Sequence, residues 1–399
     1  MNEFIRKFNR SNNLPIKIIR KIWNWRQGGR VISWRPKNSE VKGRVLLSYL
    51  PYALLYDADD KFFEGHTNKW ECREIARILQ DAGYEVDAIH YQNTKFRPRK
   101  KYNILFDIDA VLQRLSPLLP VNCKKILHLT TSYSPYQNAA EQQRIKNLQQ
   151  RRPNSTYTAK RQIKNPELSE KSLQLADYCS LIGTAHTLQT YPEKYHSKIN
   201  LVTVTASVMD KIKSAEEFVP AEKEFVWFAG GGAVHKGLDL LLEIFSRQPQ
   251  FVLNIIGVLS NETDFLKIYD KELHLPNIHY HGPLNPNSEE FRAVVGKCFC
   301  FINPSCSESI STAAATCLVY GLFPLISRDT GIALPENCGR YLETCSLAEI
   351  EKNIREIYNL SDAELAGQIA ITQQFARENF SREKFTTVME KFFNEIIKI

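Results

Sequence analysis

Two stretches of this 399-residue chain place groups capable of chemistry at telling positions. In FAGGGAVHKGLDLLLEIF (228–245), Gly230, Gly231 and Gly232 follow an apolar run and lead to an amphipathic segment that His235 and Lys236 introduce. Backbone without Cβ atoms lets a phosphate approach closely. A helix start favours an anion through its dipole and free N–H groups, and Lys236 there adds a full positive charge. His235 could donate to the same anion. A GxxxxGK[ST] loop is absent, so the site is not of the Walker type, and a purely structural turn is the competing reading. The second stretch, CFCFINPSCSESISTAAATCLVYGLFPLIS (298–327), ends a buried strand in Asn-Pro-Ser and carries Glu308 in a short loop before a helix of small residues. A carboxylate at a sheet edge is costly to desolvate unless it accepts hydrogen bonds, and sugar hydroxyls are suitable donors. Ser309, Ser311 and Thr312, with the backbone N–H groups of the helix start, could meet a phosphate or a ribose. The competing reading makes Glu308 a solvated cap and Ala313–Ala315 tight packing.

Elements that could position these groups are legible around them. From residue 44 short apolar runs alternate with amphipathic stretches, the pattern of parallel sheets covered by helices. RVLLSYL (44–50), EVDAIHY (85–91), NILFDI (103–108), KKILHLT (124–130), YCSLIG (178–183) and INLVTVT (199–205) read as strands of a first half. NKWECREIARILQDAG (68–83) reads as a helix with Trp70, Ile75, Ile78 and Leu79 inward and Gly83 ending it. Basic helices are predicted at about 138–152 and 166–176. Residues 207–223 are polar and aperiodic, a linker by composition. The alternation restarts with EFVWFAG (224–230), a helix from Lys236, FVLNIIG (251–257), NIHYHG (277–282), CFCFINPS (298–305) and FPLISR (323–328), and closes in a helical tail over 346–397. The implied plan is a basic arm (1–39), an N-terminal Rossmann-like domain (40–206), the linker, a C-terminal Rossmann-like domain (224–380) and a last helix (381–399). Two such α/β units facing each other make a cleft at their strand ends.

Composition bounds the function. Hydrophobic residues at 43% and charged residues at 24% are those of a globular protein. The nine cysteines lack zinc-ligand spacing, and they are read as reduced, mostly buried thiols of a cytoplasmic protein. The net charge of +8 is concentrated in residues 1–39, where ten basic residues face Glu3 alone. The rest is close to neutral, so charge gives no ground for nucleic-acid binding. The arm also carries Ile16, Ile19 and Trp23 on one helical side, which fits attachment of residues 1–30 to the anionic inner face of a membrane as a peripheral protein. An arm folded onto the protein is the alternative. No run of 18 apolar residues occurs to span a bilayer.

Together the two chemical stretches resemble the donor-binding half of the GT-B-fold, mostly retaining glycosyltransferases of the large group 1, family 4-like class. That class carries a GxxxxxKG turn and an E-x7-E element before a GxP turn. Here Gly230 leads to Lys236-Gly237, and Glu308 leads through ATCLVYG to Gly321 and Pro324. The likeness spans about 224–330, and the tail is similar too, with a last helix returning to the N-terminal domain. The resemblance implies a metal-independent transfer of a hexose-type sugar from a nucleotide-sugar donor to a glycan or lipid-linked acceptor, as in polysaccharide biosynthesis, with retention and no cofactor. Lys236 would hold the donor diphosphate, with Gly230, Gly231, Gly232, His235, Ser309, Ser311 and Thr312 around it, and Glu308 would contact the sugar. The class's second glutamate falls on Thr316, and its arginine beside the first glycine falls on Gly231. A non-catalytic sugar-nucleotide or glycan-binding relative and a nucleotide-sugar epimerase are the alternatives.

The N-terminal half is then expected to hold the acceptor. Gly65, His66, Thr67 and Asn68 lie between the first strand and its helix, where the class has a glycine-containing cleft loop. Thr131, Tyr133 and Asn138 follow the strand KKILHLT, where Rossmann sites lie. His128, on that strand, is read as packed and hydrogen-bonded. YDADDK (56–61) and LFDIDA (105–110) contain Asp-x-Asp, which other glycosyltransferases use for a metal. Neither lies near the glycine turn or Glu308 in sequence, and Asp107 and Asp109 also suit the start of the next helix, so no metal is expected.

Overall fold

Alternating apolar runs build two sheets. The computed structural model describes residues 31–36, 40–65, 67–108, 111–207 and 212–397. The first sheet holds β1 (Ile32–Trp34), β2 (Gly43–Tyr49), β3 (Tyr84–His90), β4 (Ile104–Asp107), β5 (Lys124–Leu129), β6 (Tyr178–Ile182) and β7 (Ile199–Val202), in the order β1-β3-β2-β4-β5-β6-β7. The second holds β8 (Glu224–Ala229), β9 (Leu253–Gly257), β10 (Ile278–Gly282), β11 (Cys298–Asn303), β12 (Phe323–Ser327) and β13 (Arg340–Leu342), in the order β10-β9-β8-β11-β12-β13. All neighbours run parallel except β1, which lies antiparallel on β3. Buried β11 shows why: CFCFIN is apolar on both faces, as a strand covered by helices on both sides must be. The result is a mixed α/β protein of two Rossmann-like units.

The final helix, Arg382–Ile397, returns to the first sheet. Phe385 meets Trp70 edge-on, Phe393 packs on Phe106, and Thr386 donates to Glu74 at 2.7 Å. No helix among the described residues is long and apolar enough to cross a membrane. All nine cysteines are free, and all but Cys345 are buried.

Several elements differ from the sequence reading. Within the span read as the basic arm, Ile32–Trp34 is an edge strand, Trp34 donating its indole N–H to the Leu54 carbonyl at 3.0 Å. Residues 1–30, which carry the membrane expectation, lie outside the described residues. Short β13 has no periodic signal of its own. The helix read from Lys236 begins at Leu238, because Gly237 adopts φ 73°, a left-handed conformation that interrupts helical backbone. The linker is tethered: Lys213 donates its backbone N–H to Tyr320 at 3.0 Å, and Phe218 is buried.

Residues 134–161 depart most from sequence order. They precede β6 in the chain, yet pack on the second sheet's helices. Ile145, Leu148 and Tyr157 join the apolar cluster of Phe225, Trp227 and Leu241. Arg151 pairs with Asp239 and Glu243, Arg152 with Glu272 and Lys160 with Asp264.

Candidate functional site

A cleft of about 800 Å³ opens between the two sheets, and both chemical stretches reach it. Lys236 and Glu308, 72 residues apart in sequence, form an ion pair on its C-terminal wall. Local structure explains their placing. Trp227, fully buried on β8, donates its indole N–H to the Lys236 carbonyl at 3.0 Å. Cys306 donates its N–H to the His235 carbonyl at 2.9 Å, fastening the glycine turn to the Glu308 loop. From the other side Ser132 donates to the Glu308 carbonyl at 2.6 Å, and Thr187 to that of Ser309 at 3.0 Å. The loop is thus held by both halves of the chain. Burial pushes the Glu308 carboxyl up, but the charges around it, Lys236 foremost, prevail and hold it below its ordinary value. It is an anion poised to accept hydrogen bonds.

The glycine turn is less open than its sequence implies. Glu262 accepts the N–H groups of Gly232 (2.6 Å) and Ala233 (3.1 Å) and the Tyr157 hydroxyl (2.9 Å), so these amides are taken. Only Gly230 and Gly231 of the three glycines line the cleft. Gly232 sits at φ 87°, a backbone conformation suited to glycine. His235 faces inward: its Nε2–H donates to the Ser307 carbonyl at 2.6 Å, and burial lowers its pKa to about 4. The helix Leu238–Phe245 starts against Pro304, away from open space. The helix end that reaches the cleft is that of Thr312–Tyr320, capped by Ser311 onto Ala314 and lined by Ser311, Thr312 and Ala313. The anion-favouring terminus therefore belongs to the second stretch rather than the first.

Other expected residues divide between cleft and scaffold. Ser309 lines the cleft while donating to the Thr130 carbonyl at 2.8 Å. Thr316 faces away from it: its hydroxyl donates to the Thr312 carbonyl at 2.7 Å and accepts the Ser207 N–H at 3.0 Å. On the N-terminal wall Thr67, Asn68, Thr131 and Tyr133 line the cleft, Tyr133 donating to Glu170 at 2.8 Å. Gly65 stays behind, at φ 106°, its carbonyl accepting from Ser207 at 3.1 Å. Asn138 is occupied twice with Ile163, at 2.8 and 2.9 Å, and is a brace. His128 is buried against Ser180 Oγ at 2.8 Å. His66 and Asp109 lie outside the described residues, and Asp107 accepts the Leu112 N–H at 2.7 Å at the start of the next helix.

Two cleft residues escape a sequence reading. Glu71 is buried beneath Thr67, its carboxylate accepting both N–H and hydroxyl of Thr205 at 2.9 Å, and burial pushes its pKa up to about 7. In sequence it is one polar residue of an amphipathic helix. Arg161 reaches the cleft from the loop that follows helix Ser134–Arg151, and no pattern in that loop marks it.

Two parallel-stranded units facing across a strand-end cleft, with a last helix crossing back, define the GT-B fold of glycosyltransferases. Residues 209–366 match the family described as glycosyl transferases group 1, so this chain carries a glycosyltransferase domain of the class that its sequence resembles. Sucrose-phosphate synthase from Thermosynechococcus elongatus is similar over 92% of this chain and 100% of its own, with a TM-score of 0.63 and 14% identity. The Anabaena protein Alr3699/HepE, solved with UDP and glucose, matches over 89% and 99%, with a TM-score of 0.55 and 10% identity. The catalytic domain of starch synthase IV from Arabidopsis thaliana, bound to ADP and acarbose, matches over 86% and 79%, with a TM-score of 0.50 and 11% identity. At such identities these likenesses bear on the fold. No curated protein matches.

Proposed function

We propose that the chain transfers a hexose-type sugar from a nucleotide-sugar donor to a glycan or lipid-linked acceptor, without a metal ion and with retention of anomeric configuration. The observation that carries this reading is the Lys236–Glu308 pair standing beside the open N-terminus of helix Thr312–Tyr320 on one wall of the cleft. As the bond from the anomeric carbon to the diphosphate oxygen breaks, negative charge grows on the leaving group. Lys236 and the helix terminus stabilise it electrostatically. Glu308, held ionised, accepts hydrogen bonds from donor hydroxyls and orients the sugar. The acceptor enters along Thr67, Asn68, Thr131 and Tyr133. Its oxygen bonds to the anomeric carbon on the face the diphosphate leaves, and its proton passes to the departing phosphate oxygen. The complexes of Alr3699/HepE with UDP and glucose and of starch synthase IV with ADP support a nucleotide-sugar donor, and leave uridine and adenine both open.

Calorimetric titration with UDP-, GDP-, ADP- and dTDP-sugars, with and without EDTA, tests the reading. The expected result is one tight donor that ignores EDTA and is lost in Lys236→Ala. A donor that needs a divalent ion overturns metal independence; no binding by any donor favours a non-catalytic relative. Residues 1–30 are proposed to bring the protein to the cytoplasmic face of an anionic membrane. Co-sedimentation with phosphatidylserine vesicles that survives their removal would refute that.

A further inference from the structure

We propose that Arg161, delivered from the N-terminal half of the chain, is a second cation, beside Lys236, that receives the diphosphate of the donor. The proposal rests on the donor reading above and adds to it a residue from the opposite half. Lys236 does not bring uncompensated charge to the cleft, because Glu308 is paired with it. Arg161 does: among the described residues its guanidinium has no ion pair and no hydrogen bond, and it lines the same cleft as Gly230, Gly231, Lys236 and Glu308.

The position is built, although the side chain is exposed at the cleft mouth. Buried Glu141 accepts the backbone N–H groups of Lys160 (3.0 Å) and Arg161 (2.9 Å), and Gln137 donates to the Arg161 carbonyl at 2.6 Å. The backbone of Arg161 is therefore held on both sides, and its stem lies across the glycine turn. A Cβ at Gly232 would come within 2.5 Å of Arg161 Cγ, so the turn is bare where the arginine crosses it. Its charge is felt at Glu308, which it helps to keep ionised. A guanidinium offers paired N–H donors in a planar fork that matches phosphate oxygens, and needs no metal to do so. Glu262, the other carboxylate at the turn, is committed to Gly232, Ala233 and Tyr157.

The test uses the full chain as wild type, Arg161→Ala and Arg161→Lys, titrated with UDP, GDP, ADP and dTDP and, by competition, with the nucleoside of whichever binds best. The expected result is a diphosphate affinity weakened about tenfold to a hundredfold in Arg161→Ala, an intermediate value in Arg161→Lys, and unchanged nucleoside affinity. Equal diphosphate affinity in Arg161→Ala and wild type overturns the proposal and leaves the donor reading standing. An equal fall for nucleoside and diphosphate also overturns it, since the arginine would then serve the shape of the site. A wild type that binds none of the four sinks the donor reading and this inference with it.

Discussion

On the C-terminal wall of the cleft two opposite charges, Lys236 and Glu308, meet in an ion pair, whereas the N-terminal sheet presents Thr67, Asn68, Thr131 and Tyr133, all neutral, and the cation that its half of the chain supplies, Arg161, lies across the glycine turn of the opposite wall. The one acid on that side, Glu71, is sunk beneath the surface with a pKa of about 7. The difference follows from what each wall can keep ionised. Glu308 has a lysine to offset the loss of water, and its carboxyl stays below its ordinary value. Glu71 has only neutral donors, the N–H and hydroxyl of Thr205 and the hydroxyl of Thr67, and burial prevails. One wall is suited to meeting phosphate and the other to meeting hydroxyl groups.

Three substitutions break or sharpen this contrast. The largest effect is expected from Lys236→Ala, which strips the charged wall of its cation and leaves Glu308 unpaired. Turnover should fall about a hundredfold to a thousandfold, and stability by about 3 kcal/mol, read by steady-state kinetics and urea unfolding. A Lys236→Ala enzyme no slower than Thr131→Ala would erase the distinction between the walls. Next is Glu71→Gln, which keeps an acceptor for Thr205 and removes the titration. A carboxyl whose folded pKa is raised from 4.5 to about 7 contributes to stability below pH 4.5 and loses that contribution as pH rises through 7. Relative to wild type the glutamine variant should therefore gain up to about 3 kcal/mol between pH 4.5 and 8. His128 and His235, both lowered to about 4 by burial, act in the opposite sense and cancel in that difference. A difference independent of pH would remove burial from the account of Glu71. The smallest effect is expected from Thr316→Val, which orphans the Ser207 N–H at a cost of about 1 kcal/mol and leaves nucleotide affinity unchanged. A tenfold loss of affinity there would put the ribose at Thr316.

Much of the framework is legible in the chain because parallel strands are apolar on both faces and helices are periodic, and CFCFIN and NKWECREIARILQD are cases of each. Lys236 and Glu308 stand out because a lysine after a glycine turn and an acid after a buried strand are chemically conspicuous. What stays illegible is where hydrogen bonds go. Glu262 fills amides that look free, Gly237 delays a helix by its backbone angle, and His235 turns inward to a carbonyl. Asn138 and Thr316 look like ligand contacts by type and are spent on the scaffold. Arg161 is invisible because it is placed by the docking of residues 134–161, a contact that no local pattern encodes.

That docking also orders events at the ribosome. Arg151 finds Asp239 only 88 residues later in the chain, and Arg152 finds Glu272 only 120 residues later. While the first half is being made, Ile145, Leu148 and Tyr157 lack the neighbours of their apolar cluster, since Phe225, Trp227 and Leu241 are not yet synthesised. The nascent first half thus carries an incompletely covered apolar strip, the kind of surface on which chaperones act. A gene split at the linker would leave each product short of a piece that the other one holds.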